Sequence, residues 1–214
     1  MKIEGKDHLV DTNISRQIGQ LIELNEISGS AMIRIYLWRE SGGLYTPNAN
    51  KGSCLISVHE AHFQKRKVVK HVGFAHDTFN YSSKWSSIKS ISAMNYVMAG
   101  LEKKARNLDE IIILDHRGYV SECLSSNIFW RKDKMYYTPS LSTGCIDGVM
   151  RKWFISSIKG KHFNVTEMEA EKTDLLSASC VFTTNAAGIT HLQSIDNKAF
   201  NIDENAQRLF ETLS

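Results

Sequence analysis

Between residues 110 and 138, four short apolar runs follow one another with little chain between them. They are Glu110–Asp115, Tyr119–Cys123, Asn127–Arg131 and Met135–Thr138, each of strand length. Asp115-His116-Arg117-Gly118 and the charged Lys132-Asp133-Lys134 form turns at two of the joints. Joints this short favour hairpins, so α+β pieces are expected here rather than a regular alternation of strand and helix. Before it, Met94, Val97, Met98, Leu101 and Ala105 share one helical face. After it, a helix following Gly148 is expected to bury Val149, Met150, Trp153, Phe154 and Ile158. Strands near Phe163–Met168 and Cys180–Thr184 then lead to a last helix on Ala206, Leu209, Phe210 and Leu213. The class is α+β.

The N-terminal part reads as a helix followed by extended segments. Ile14, Ile18, Leu21 and Ile22 form the helical stripe, with cap oxygens in Asp11-Thr12-Asn13. Ala31–Trp38, Ser53–Glu60 and Lys67–Gly73 read as strands. The stretch Asp77–Ser87 is rich in Ser and Asn and carries no period, which reads as a linker. The expected organisation is a small domain at 1–78, a linker at 79–87 and a larger domain at 88–214.

Composition removes several function classes. No apolar run reaches about 18 residues, so no transmembrane helix is expected, and the charged N-terminus lacks the apolar core of a secretory signal. The net charge of +3 is too mild to imply a nucleic-acid or membrane partner. Cys54, Cys123, Cys145 and Cys180 show neither C-x-x-C nor zinc spacing, which points to reduced thiols and a cytoplasmic setting. His59-Glu60-Ala61-His62 has the wrong spacing for a zincin helix and sits in a strand-like run, so no metal is expected. The lysines and arginine between His62 and His71 read as a solvated edge strand.

The residues that carry chemistry lie between 88 and 190. Lys89 stands at a junction into a helix, where partial desolvation makes an amine a Schiff-base nucleophile. Glu122 ends a strand, and a carboxylate there needs a partner such as a protonated pyridine nitrogen. Ser142–Arg151 is a turn opening a helix, a ready place for a phosphate, and Thr183–Ile189 is a second polar turn after a strand. A lysine, a carboxylate and two anion-binding turns are the parts of a pyridoxal 5'-phosphate site.

In order along the chain stand the lysine, Glu-(x)4-Asn-hydrophobic-Phe, Gly-x-Met-Arg and Thr-Asn-Ala. With these motifs the sequence resembles the fold-type IV pyridoxal-phosphate enzymes, aminotransferase class IV, over about residues 11–196. The resemblance implies the two-domain architecture of D-amino-acid aminotransferases, with an incomplete small domain. It makes Lys89 the Schiff-base lysine and Glu122 the partner of the ring nitrogen, with Val149, Met150, Thr184 and Asn185 holding the phosphate. It also implies a homodimer acting on a small molecule.

Cys123 after the glutamate, Trp130, Gly148-Val149-Met150-Arg151 and Gly42–Pro47 are closer to the lyase members of that family than to its aminotransferases. The expected reaction is therefore conversion of 4-amino-4-deoxychorismate to 4-aminobenzoate and pyruvate, a step towards folate. Transamination of branched-chain or D-amino acids is the alternative, and an inactive or weakly cofactor-binding relative the third. Two departures matter. The tyrosine that branched-chain members place five residues after the lysine is Met94 here. The His-x-x-Arg-Leu helix whose arginine grips the phosphate has no counterpart, since His8-Leu9 runs into Val10-Asp11-Thr12. A chain shortened at its N-terminus is expected; without the arginine the cofactor should bind weakly, and tight retention would point to another cation, Arg34 or Arg151, in its role.

Overall fold

A computed structural model describes residues 12–46, 48–62, 67–158 and 163–213. The expectations about residues 1–11, including the Asp11 cap and the missing arginine helix, lie outside the described residues. The chain divides into two compact units between residues 63 and 64.

The first unit contains helix α1 (Thr12–Leu24) and the antiparallel strands β1 (Ala31–Arg39) and β2 (Gly52–Glu60), registered from Ala31 opposite Glu60 to Arg39 opposite Gly52. Its two-stranded sheet leaves Ile33, Ile35, Leu37, Trp38 and Leu55 exposed.

The second unit holds two sheets. Its elements are β3 (Lys67–Val69), β4 (Val72–Asn80), α2 (Met94–Ala105), β5 (Glu110–Asp115), β6 (Val120–Cys123), β7 (Asn127–Lys132), β8 (Met135–Pro139) and α3 (Val149–Ile158). They continue as β9 (Asn164–Met168), α4 (Lys172–Leu176), β10 (Cys180–Asn185), β11 (Gly188–Leu192), β12 (Ser194–Ile195), β13 (Lys198–Ala199) and α5 (Glu204–Glu211). One sheet runs β3-β11-β10-β7-β8-β9 and the other β13-β12-β4-β5-β6.

Strand alternation explains the layering. Ile112 and Leu114 of β5 meet Ile128 and Trp130 of β7 and Val181 of β10 in a core between the sheets. Ile111 and Ile113 point the other way, onto Ala99 and Tyr96 of α2. Phe129, Tyr136 and Phe182 face Phe154, Ile158, Ala206 and Phe210 of α3 and α5. The order is helix, sheet, sheet, helices.

Three expectations change. The boundary expected near residue 78 falls at 63/64, and residues 77–80 of the expected linker end β4 instead. The reason is burial and pairing: Val72, Phe74 and Ala75 are core residues and β4 pairs in parallel with β5. On α2, Met94, Val97, Met98 and Leu101 are 72%, 54%, 52% and 57% exposed, so the apolar stripe faces away from the sheet. Small residues let the opposite face sit close, with Ala99 fully buried and Gly100 against Leu124. Val149, expected in the core, is 81% exposed at the start of α3, while Phe154 and Ile158 of that helix are buried.

Candidate active site

Glu122 owes its direction to an irregularity in β6. Glu122 stands opposite Ile113 and Val120 opposite Leu114, so Ser121 has no opposite number on β5. The extra residue turns Glu122 to the α2 side of the sheet, as β-bulges re-aim side chains elsewhere. There Glu122 is 2% exposed. The Tyr96 hydroxyl donates to its Oε1 at 2.7 Å and the Asn80 amide at 3.0 Å, while the Ile146 N–H donates to Oε2 at 3.1 Å. Burial pushes the Glu122 carboxyl up, while those donors and the positive charge of Lys89 draw it down. Among the described residues no arginine or histidine pairs with it. A buried carboxylate without a bonded cation is costly, and such groups mark functional sites.

The turn before α3 gathers the other parts. Ile146 C=O accepts from the Asn127 amide at 2.6 Å, and Asp147 N–H donates to Ser87 C=O at 2.9 Å. The segment leading to Lys89 is therefore tied by its backbone to the turn whose next amide holds Glu122. Lys89 itself is exposed. Gly148 permits the close approach, since a Cβ there would lie 2.3 Å from Asn127 Oδ1.

Thr184 pairs with Asn127 across β10 and β7, so both side chains lie on the sheet face covered by α3. Thr184 is 1% exposed and its hydroxyl has no hydrogen-bond partner among the described residues. The first N–H groups of an α-helix have no intrahelical acceptor, and here they belong to Val149 and Met150. These donors can cradle an anion, and the orphaned hydroxyl fits a phosphate oxygen. The Asn185 amide is engaged locally, accepting from Ala187 N–H at 2.9 Å and donating to Ser125 C=O at 3.3 Å.

Of the two replacement cations named from sequence, Arg151 is already committed. It is buried, pairs with Asp147 and Glu167, and donates to Pro139 C=O at 2.9 Å, tying the first turn of α3 to β8 and β9. Arg34 lies on β1 in the other unit. Sequence reasoning missed Tyr96, Asn80, Ser87 and the Ile146 backbone. The polar pair Asn95-Tyr96 interrupting an apolar helix was the available signal for the first of these.

Comparison with known proteins identifies the family. The family model described as amino-transferase class IV matches residues 8–195. A "Probable branched-chain-amino-acid aminotransferase" of Rickettsia bellii is 30% identical over 82% of this chain and 62% of its own length. An "Aminodeoxychorismate lyase" of Bacillus subtilis is 28% identical over 85% of this chain and 64% of its own. The chain thus spans less than two thirds of either relative. The crystal structure of branched-chain amino acid aminotransferase from Thermobaculum terrenum in its PLP form superposes with a TM-score of 0.82 at 18% identity, covering 94% of this chain and 69% of that one. The chain belongs to the class IV aminotransferase family, which has the fold-type IV architecture and uses pyridoxal 5'-phosphate.

Proposed function

We propose that the chain binds pyridoxal 5'-phosphate through Lys89, Glu122, the α3 N-terminus at Val149 and Met150, and Thr184 with Asn185, and acts as a lyase on 4-amino-4-deoxychorismate. The observation that carries the cofactor part is Glu122 of β6, buried without a bonded cation among the described residues and held by a turn that is linked through Asp147 to the Lys89 segment. When bound, the cofactor supplies a pyridinium electron sink. Glu122 keeps the proton on the ring nitrogen, because an ionised carboxylate favours the charged ring. Lys89 provides the amine that takes a proton from the amine-bearing carbon of the substrate. The Thr184 hydroxyl and the first N–H groups of α3 would hold the phosphate.

The lyase reading follows from Cys123, Trp130 and Gly148-Val149-Met150-Arg151, and from the lyase named among the relatives. Its reaction balances without a co-substrate: the substrate divides into pyruvate and 4-aminobenzoate. The Rickettsia bellii relative favours a second reading, amino-acid transamination, which needs a keto acid to accept the amino group. Supplying aminodeoxychorismate alone separates the two. Equimolar pyruvate and 4-aminobenzoate support the lyase; turnover only of amino acids with 2-oxoglutarate supports transamination. We further propose a homodimer, supported by the exposed apolar stripe of α2. Light scattering should return twice the chain mass.

A further inference from the structure

The donors around Glu122 leave one acceptor position open, and two residues outside the family motifs decide where it lies. Among the described residues, Oε1 receives both Tyr96 and Asn80, which fills its two lone pairs, while Oε2 receives only the Ile146 N–H. We propose that Tyr96 is a positioning residue which, with Asn80, saturates Oε1 so that Oε2 is the oxygen presented to the cofactor's ring nitrogen. This rests on the reading of Glu122 as the ring-nitrogen partner.

The supporting framework is continuous. Asn95, beside Tyr96 in the first turn of α2, donates to Phe79 C=O at 2.8 Å and to Asn80 Oδ1 at 2.9 Å. The Asn80 amide also donates to Ser121 Oγ at 3.0 Å, and Ser121 Oγ donates to Thr143 C=O at 3.1 Å. One turn of α2 therefore sets both Oε1 donors, and α2 begins just after Lys89. Placing the carboxylate is thereby coupled to placing the segment that carries the amine.

The groups that act electrostatically on Glu122 are Tyr96 from α2, Lys89 from the segment before it, Cys145 from the turn before α3 and Cys123 beside it in β6. Burial pushes the Cys145 thiol up to about 11 and raises the Cys123 thiol and the Tyr96 hydroxyl as well, so these three stay protonated near neutral pH. Tyr96 donates to Glu122 across the working range, and a bond to the ionised form stabilises that form.

The test is an infrared pH titration of the cofactor-free protein, with the Glu122 carboxyl band identified as the one lost in Glu122→Gln. Tyr96→Phe is expected to move its midpoint to higher pH and to raise the dissociation constant for pyridoxal 5'-phosphate about tenfold at neutral pH. Asn80→Ala, removing the other Oε1 donor, is expected to shift the band the same way and serves if Tyr96→Phe does not fold. An unmoved band and unchanged affinity in a folded Tyr96→Phe protein overturn the inference. If Glu122→Gln leaves cofactor affinity intact, the ring-nitrogen reading itself fails, whatever the Tyr96→Phe result.

Discussion

Two buried carboxylates in the same unit have opposite surroundings. Asp203 is fully buried; it pairs with Arg131 at 2.6 Å, accepts the Tyr136 hydroxyl at 3.0 Å, and caps α5 through the N–H groups of Asn205 and Ala206. Its charge is matched within the chain. Glu122 is as deeply placed and also has a tyrosine donor, yet its three hydrogen-bond partners among the described residues are all neutral. Burial raises both tyrosine hydroxyls, so neither gives up its proton to its carboxylate near neutral pH. The difference separates architecture from candidate chemistry: a buried charge with a bonded counter-ion fastens the fold, and one without marks a candidate site.

Breaking the matched site should have the largest effect on stability. Asp203→Ala leaves Arg131 without its partner and α5 without its cap, and denaturant unfolding should show a loss of about 3–5 kcal/mol. Breaking the unmatched site should do the converse. Glu122→Gln should raise the pyridoxal 5'-phosphate dissociation constant about ten- to a hundredfold while changing the unfolding free energy by less than about 1 kcal/mol. Equal losses of stability in the two variants would erase the distinction.

Titration sharpens the same comparison. The folded Glu122 carboxyl is raised by burial, so the folded chain holds that proton more tightly than the unfolded chain does. Its contribution to cofactor-free stability is present at low pH and is lost as pH rises above the ordinary glutamate range. Glu110 is raised by burial too, so the signature of Glu122 is the part of this decline that disappears in Glu122→Gln. Saturating cofactor should flatten the decline by supplying the cation. The smallest effect belongs to a surface pair: Lys132 and Asp174, 3.8 Å apart and about a third exposed, should contribute less than about 0.5 kcal/mol on Lys132→Ala.

The contrast also marks what the sequence could disclose. Strand β5 was legible to the residue, because Glu110–Asp115 is an apolar run bounded by a turn, and the burial of Glu122 makes it the candidate that its motif setting had proposed. The turn to α2 was not, since alternation gives Glu122 a face relative to its neighbours but an unpaired Ser121 decides which layer that face meets. The outward stripe of α2 was misread because a helical period reports that an apolar face exists and not what covers it. Strand β4 was absorbed into a linker because His76, Asp77 and Asn80 interrupt its apolar residues, although Asn80 is polar on account of the carboxylate it serves. Asp203 carried no motif at all. Its match with Arg131 spans 72 positions and becomes visible only when β7 and the start of α5 come together.

The central claim is that Glu122 and Lys89 belong to one cofactor site. Its most direct test is to load the protein with pyridoxal 5'-phosphate, reduce with borohydride, and locate the added mass by peptide mapping. One modified peptide is expected, the one bearing Lys89, with labelling abolished in Lys89→Ala and weakened in Glu122→Gln at limiting cofactor. Labelling at another lysine, or labelling of Lys89 that is indifferent to Glu122→Gln, would contradict it.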